Sequence, residues 1–571
     1  MSAVFRKIGR AGPGARGFGI GWAGGRGAAG WLALVVLAVA TAGFGGLAAS
    51  PALAGSFVTV TTTSDENAVD GACSLREAIL YAQNQNAGDT DCGTTATGLT
   101  TIIVPAGHYA FATASGDAHL QIGPGGPGPI LIAGASTAGT VIDAQGHYPR
   151  LLLVRSGANV TIKNLTLQGG FGFARDGGGI YNQGTLTLDH VTVTASKTAF
   201  PFGTFTGEGR GGGIFNSGTL TLLGSIVSGN STASGGVVPF PPPRYCGAPG
   251  NDGYPGADGG GLYNQGGTVT AINTSFTGNA TGPGGDGGPG RDARSLSGCT
   301  GGGSGGAGGH GGDGGAIFNN AGFVTLRQSA IYGNTTGAGG HGGDGGFGSV
   351  TGGNGSQGGG GGAGAGIATN AMLTVVNTTI TGNTTGNGGA GGAAGQSGNP
   401  AGAGAGGAPG EGGPGAGIYQ QNGQATVQES TVAANVGGAG TGIAGLNEVP
   451  RASGIEVVAG ELTEIDTIVS NNDCYAFPGG QIKDGLTAGD GHLNLTYPTA
   501  SCPGIVANPL LQPLHDNGGP TPTMAIAPPS AALDRIPPTA AAGCTPADQR
   551  GTARPQPPGG RCDIGAFEAA P

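Results

Sequence analysis

Glu429 and Asp466 fall at equivalent places of two successive sequence repeats, with Glu464 close by. Carboxylates stacked one repeat apart hold Ca²⁺ or share a proton, the equipment of polysaccharide lyases and hydrolases. They form the candidate catalytic pair, set against the plainer reading of a solvated acidic patch. The phrase His-Gly-Gly-Asp-Gly-Gly occurs twice, at 310–315 and 341–346. If neighbouring segments align, His310, Asp313, His341 and Asp344 bring mixed nitrogen and oxygen metal ligands together. Duplication of a low-complexity phrase produces the same pattern with no metal, and no cofactor is implied. A row of rings follows inward-pointing Ile or Leu residues: Tyr181, Phe215, Tyr263, Phe318 and Tyr419, interrupted by Ala368. Outward rings spaced ~4.8 Å apart would stack on sugars or a partner, unless the insertions upstream of them cover the row.

These residues are placed by a repeat. Blocks of 18 or 19 residues begin at Gly179, Gly213, Gly261, Ala316, Gly366, Gly417 and Gly454, the first reading GIYNQGTLTLDHVTVTAS. Spacing varies: 34 residues from Ile180 to Ile214, 48 from Ile214 to Leu262 and 55 from Leu262 to Ile317. A fixed unit therefore carries an insertion of changing length at one point. Each block holds three short runs rich in Thr, Val, Ile and Leu that alternate at period two and are broken by Gly and Asn. Three strands per unit predict one coil of a right-handed parallel β-helix, each strand pairing one coil away. Alternation turns Leu186, Leu188, Val191 and Val193 inward, and Thr185, Thr187 and Thr192 outward. Asn182, Asn216, Asn264 and Asn319, then Thr369 and Gln420, should align as a ladder of amides. A second row closes the blocks at Asn230, Asn279, Asn334, Asn383 and Asn435; the N-x-T/S sequons there are by-products of the ladder. About ten coils, some 50 Å long, are expected.

Glycine numbers 132 of 571 residues and charged residues 9%, against about 7% and 25% in ordinary soluble proteins. Such a chain is no helical enzyme, coiled coil or collagen. Much of the glycine sits in insertions at 197–212, 231–260, 280–315, 335–365, 384–416 and 436–453, several in triplets such as GAP-GND-GYP-GAD. A three-residue period suits polyproline II geometry and predicts a bundle of polyglycine-type helices on one flank, with flexible loops as the alternative.

Residues 1–54 read as a secretory signal: five basic residues and no acid, an apolar run from Trp31 to Ala49, then Ala52-Leu53-Ala54. Cleavage would leave 17 bases against 32 acids, net −15, with no membrane span in the mature chain. That charge argues against nucleic acid. Eight cysteines in a secreted chain suit disulfides, paired by sequence neighbourhood as Cys73/Cys92, Cys246/Cys299, Cys474/Cys502 and Cys544/Cys562.

Several segments carry family resemblances. Gly314 to Asn319, a GGAIFN phrase, resembles the repeats of polymorphic outer membrane proteins, which are β-helical surface proteins. Cys73 to Ile79 resembles the CSLREA domain; physically it is a capping box, Ser74 with Glu77, opening a helix whose apolar face is Leu75, Ala78, Ile79 and Ala82. Such a helix would cap the solenoid end. Residues 100–109 are similar to the entry strand of pectate-lyase-like β-helices. Asn508 to Leu511, Asp516 to Met524, Asp548 to Gly551 and Cys562 to Glu568 together resemble the C-terminal region of choice-of-anchor Q proteins. The organisation expected is a signal at 1–54, a cap with first coils at 55–150, repeats at 151–472 and a C-terminal module at 473–571. The resemblances imply a noncatalytic secreted or cell-surface protein, adhesive through glycans or cell-surface partners. The alternative is a polysaccharide lyase or glycoside hydrolase.

Overall fold

The computed structural model describes residues 55–570 except 87–90, 112–118, 147–149, 201–207, 237–246, 294–298, 441–451, 486–492 and 538–543. The expected signal sequence and Cys246 lie outside the described residues.

Short β-branched and leucine-rich runs pair in parallel with the run one coil earlier, making three sheets along one axis. In a representative coil, Ile180–Asn182 belongs to the first sheet, and Thr185–Thr194 supplies the second and third with a corner at His190, where φ is 52°. The first sheet has ten rungs among the described residues, from Leu120–Ile122 to Cys474–Ala476. The fold is a right-handed parallel β-helix, the hand that crossovers between parallel strands adopt. Leu186, Leu188, Val191 and Val193 are at most 1% exposed, and Thr185 faces solvent. Each buried aliphatic side chain contributes about 1.5–3 kcal/mol.

Amides line two corners of the coil. Asn182 donates to Asn216 (2.7 Å), Asn216 to Asn264 (2.8 Å) and Asn264 to Asn319 (2.9 Å). The second ladder runs from Asn230 through Asn279, Asn334, Asn383 and Asn435 to Asn472, each step 2.9–3.0 Å. A buried amide without partners would cost about 1–3 kcal/mol, so the stacked arrangement is what makes interior Asn tolerable.

At the N-terminal end the helix Leu75–Ala82 begins with the expected capping box: Ser74 Oγ accepts from Glu77 N, and Glu77 Oε2 accepts from Ser74 N. Leu75, Ala78, Ile79 and Ala82 are buried, joined to the coil core. At the other end, residues 508–570 form a module with little regular structure that lies along the coil corners. It meets Gln328, Asn377, Glu429 and Asp466, one corner residue from each of four successive coils, all at positive φ of 44–50°.

The described parts of the glycine insertions are bonded to one another. Gly284, Gly287 and Gly290 donate their N–H groups to the carbonyls of Ala338, His341 and Asp344 in the next insertion, at 2.7–2.8 Å. Gly306, Gly309 and Gly312, on the returning limb, donate to Gly288, Gly285 and Gly282 on the outgoing limb, at 2.8–3.0 Å. A hydrogen bond every third residue is the signature of three-residue-per-turn helices packed side by side. The contact admits no side chain: a Cβ on Gly287 would lie 2.0 Å from Gly306 O, and one on Gly305 1.9 Å from Gly343 O.

Threonines clamp the roots of this bundle. Thr232, Thr281, Thr336 and Thr385 each donate Oγ1–H to a carbonyl of a returning limb and accept N–H from the outgoing limb of the following insertion at 2.7–3.0 Å. Each lies two residues after a ladder Asn. The N-x-T spacing is therefore structural: Asn230, Asn279, Asn334 and Asn383 are at most 1% exposed.

Candidate functional site

The aromatic row forms a ladder, but a closed one. Ring centroids of Tyr181–Phe215, Phe215–Tyr263 and Tyr263–Phe318 are 4.8, 5.4 and 5.2 Å apart, with planes within 18°. Phe215, Tyr263 and Phe318 are 3%, 3% and 6% exposed; only Tyr181 and Tyr419, at the two ends, are half-buried. The expected open sugar platform is thus corrected. The turn glycines that open each coil lie against the row: a Cβ on Gly259 or Gly314 would fall 2.8 or 2.7 Å from the Cβ atom of Tyr263 or Phe318. Arg210 closes it further, its guanidinium 5.3 and 5.0 Å from the Phe215 and Tyr263 ring centres and paired with Asp176 at 2.7 Å. Burial pushes the Tyr263 hydroxyl up to about 12. Tyr181 stacks on Phe215 on one side and meets the Arg150 guanidinium at 4.7 Å. Its ring is occupied.

The candidate metal ligands are also spoken for. His310 Nδ1 accepts from Gly360 N (3.1 Å) and His341 Nδ1 from Ala390 N (3.0 Å). Asp313 Oδ1 accepts from Ala363 N and Asp344 Oδ1 from Ala393 N, at 2.6 and 2.7 Å. Asp252, Asp286, Asp292, Asn354 and Asn387 do the same for the insertion after their own. In each triplet the glycine N–H groups find carbonyls, while the third residue's N–H needs a side-chain acceptor. Asp, Asn and His recur at that place for this reason. No group of three or more metal-ligating side chains comes together among the described residues.

The candidate catalytic pair is buried, which overturns the reading of an accessible acidic patch. Glu429 is 0% exposed; it accepts from Thr545 N (2.8 Å), Thr545 Oγ1 and Arg554 Nη1 (3.1 Å). Asp466 is 0% exposed and accepts from Leu493 N at 2.9 Å. Both sit under chain that follows them, and Glu429 anchors the C-terminal module. Glu464 points into the coil interior, where burial, with Asp484 adding to it, raises its carboxyl to about 8. Disulfides join Cys73 to Cys92, Cys474 to Cys502 and Cys544 to Cys562, and Cys299 is disulfide-bonded.

What remains open lies at the two ends of the ring ladder. Beyond Phe318 a polar pocket of about 400 Å³ is lined by His310, Asp313, Gln357, Glu411, Tyr419 and Gln421. Burial, then the Asp258 carboxylate, pushes Asp313 up to about 7. At the Tyr181 end a groove of about 410 Å³ is walled by Arg150, Arg155, Arg175, Gln183 and Glu208. Arg155 Nη2 donates to Gln121 Oε1 at 2.9 Å. Arg150 is 7% exposed, and among the described residues its buried Nε has no hydrogen-bond partner. Burial and the neighbouring Arg175 lower its pKa. Sequence reasoning overlooked these arginines. Their one signal was the clustering of three within 26 residues of a base-poor chain.

No family model matches the chain and no curated protein matches it, so the CSLREA and choice-of-anchor Q resemblances rest on their motifs alone. Among solved structures it is similar to a pectate lyase, Pel9A, at 12% identity over 90% of this chain and 96% of that one, TM-score 0.37. It is also similar to the A-module of the Azotobacter vinelandii mannuronan C-5 epimerase AlgE6, at 13% identity over 71% and 87% of the two chains, TM-score 0.30. The β-helix assignment stands on the strand pairing itself. Among the described residues no helix is long and apolar enough to cross a membrane.

Proposed function

We propose that this is a secreted or cell-surface β-helix protein that binds extracellular glycan without cleaving it, with the groove beside Tyr181 as its binding site. The observation that carries this reading is the occlusion of Glu429 and Asp466. The carboxylates placed like an acid–base pair are both occupied: Glu429 holds the C-terminal module, and Asp466 accepts from Leu493 N. The groove, in contrast, is open, lined by hydrogen-bonding side chains and within the ~300–1,000 Å³ range of small-molecule sites. Disulfides support an oxidising, extracytoplasmic setting. The helix opened by Cys73–Ile79 packs on the first coils and the C-terminal motifs pack along the corners of the later ones, which supports the surface-protein resemblance.

A second reading, a polysaccharide lyase or glycoside hydrolase, is favoured by one feature. Asp313, whose carboxyl is raised by burial and by the neighbouring Asp258, lines the polar pocket with Glu411, a pairing suited to proton exchange. One experiment separates the two: incubation of the full chain with neutral and acidic glycans, following retention on a glycan matrix and new chain ends together. Retention with constant chain length supports binding alone. Chain shortening lost in Asp313→Asn or Glu411→Gln would replace it with the enzymatic reading.

A further inference from the structure

We infer that the outer face of the second sheet binds the surface of ice, with a column of threonines as its template; this function stands apart from glycan binding and does not depend on it. Strand pairing sets one threonine in register on each of eight successive coils, from Thr161 through Thr187, Thr221, Thr270 and Thr325 to Thr463. One coil step is ~4.8 Å, so the column is about 34 Å long. All eight side chains point outward and are half-buried. Among the described residues none of their hydroxyls bonds to another protein group. Strand propensity favours threonine at such places but does not account for the column. The outward positions two residues further on, from Lys163 and Asp189 through Leu223 to Arg327, are mixed. The amide rows repeat because each Asn bonds to the next coil, and the threonine hydroxyls make no such bond. From Thr185 to Thr426 this column and the outward column before it hold no charged side chain. The face is open there, with Phe323 and Met372 56% and 41% exposed. A β-branched side chain is stiff at χ1, so the hydroxyls recur with one direction. A water about 2.8 Å from each of two oxygens ~4.8 Å apart bridges them at an angle near the tetrahedral value. Tetrahedral water repeated along a line is the bonding pattern of ice, whose surface oxygens recur at nearly the coil spacing. A soluble partner calls for varied contacts, whereas identical ones on eight coils match a ligand that is itself periodic.

The test grows ice slowly from a dilute solution of the full chain and measures the protein taken into the ice. Uptake should exceed that of a control protein of like size and charge by at least ~10-fold, and the chain should slow recrystallisation of fine-grained ice. Thr270→Tyr combined with Thr325→Tyr raises two rings in the middle of the column and should lower uptake at least ~10-fold. Tyrosine suits an outward strand position, so the melting temperature should not move. Thr221→Lys, which puts a charge on the face, should lower uptake as well. Thr277→Tyr, on the third sheet, should leave uptake unchanged. Exclusion of the wild-type chain from ice to the same degree as the control overturns the proposal. Uptake that persists in both face variants, or that falls equally in Thr277→Tyr, overturns it by placing any ice contact elsewhere. Sedimentation showing a pair of chains that Phe323→Ser separates would give the face to a second copy of the chain and overturn it too.

Discussion

The coils and the glycine bundle stack side by side along one chain, yet different atoms hold them. In the coils, side chains do it: aliphatic groups fill the interior, and Asn amides bond from coil to coil. In the bundle, backbone does it: N–H and carbonyl groups meet every third residue, and side chains enter as acceptors on Asp, Asn and His and as the threonine clamps at its roots. A side-chain core is adjustable, because neighbours shift rotamers around a lost methyl. A backbone lattice is not, because carbonyl oxygens already occupy the space a Cβ would need. The coil therefore tolerates changes of size and the bundle tolerates changes of third-residue chemistry.

The largest predicted effect tests the bundle. Gly305→Val puts a side chain onto Gly343 O and should cost more than about 5 kcal/mol locally. Proteases should then cut within 282–365 while the β-sheet circular dichroism persists. Ile331→Val, its counterpart in the coil, should cost only about 0.5–1.5 kcal/mol. Similar small losses for both would end the contrast.

Arg554→Met tests the place where the C-terminal module joins the coil. It strips Glu429 of its buried cation and should cost about 3–5 kcal/mol, read as rapid hydrogen exchange confined to 508–570. Exchange spread evenly over all coils would contradict a separable module.

Glu464 tests how much polarity the coil interior accepts. Its folded pKa, about 8, lies above the ordinary carboxyl value, so the folded state binds the proton more tightly than the unfolded chain does. Stability is full at low pH and falls as pH rises from about 4.5 through 8, by an amount on the order of 2–4 kcal/mol. Thermal melts at pH 5 and 9 should show the loss, and Glu464→Gln should remove most of it. A Glu464→Gln protein with the same pH dependence would assign the loss to other groups.

Smaller effects sharpen the comparison. Asn334→Ala removes a ladder amide between Asn279 and Asn383 and should cost about 1–3 kcal/mol in thermal unfolding. Asp286→Ala takes away an exposed acceptor for His341 N, where water substitutes, and should cost about 0.5 kcal/mol or less. A larger loss for Asp286 than for Asn334 would mean that side chains carry the bundle after all.

The strand period, the inward set from Leu186 to Val193, both amide rows, the cap at Ser74–Glu77 and the triplet helices were legible because each is a short-range rule repeated along the chain. Alternation, a capping box and a three-residue period depend on neighbours within a few positions, and repetition makes them visible. The fate of the chemical residues was not legible. Phe215 and Tyr263 point away from the coil interior, as alternation requires, but an insertion tens of residues long folds back over them. Glu429 lies 116 residues before Thr545 and 125 before Arg554, and nothing near it in the chain announces either partner. His310 and Asp313 find their donors 50 residues on, in the next insertion. Periodicity settles which way a side chain leaves its own strand; whether water, backbone or an arginine then meets it depends on contacts distant in the chain, which only the tertiary structure decides.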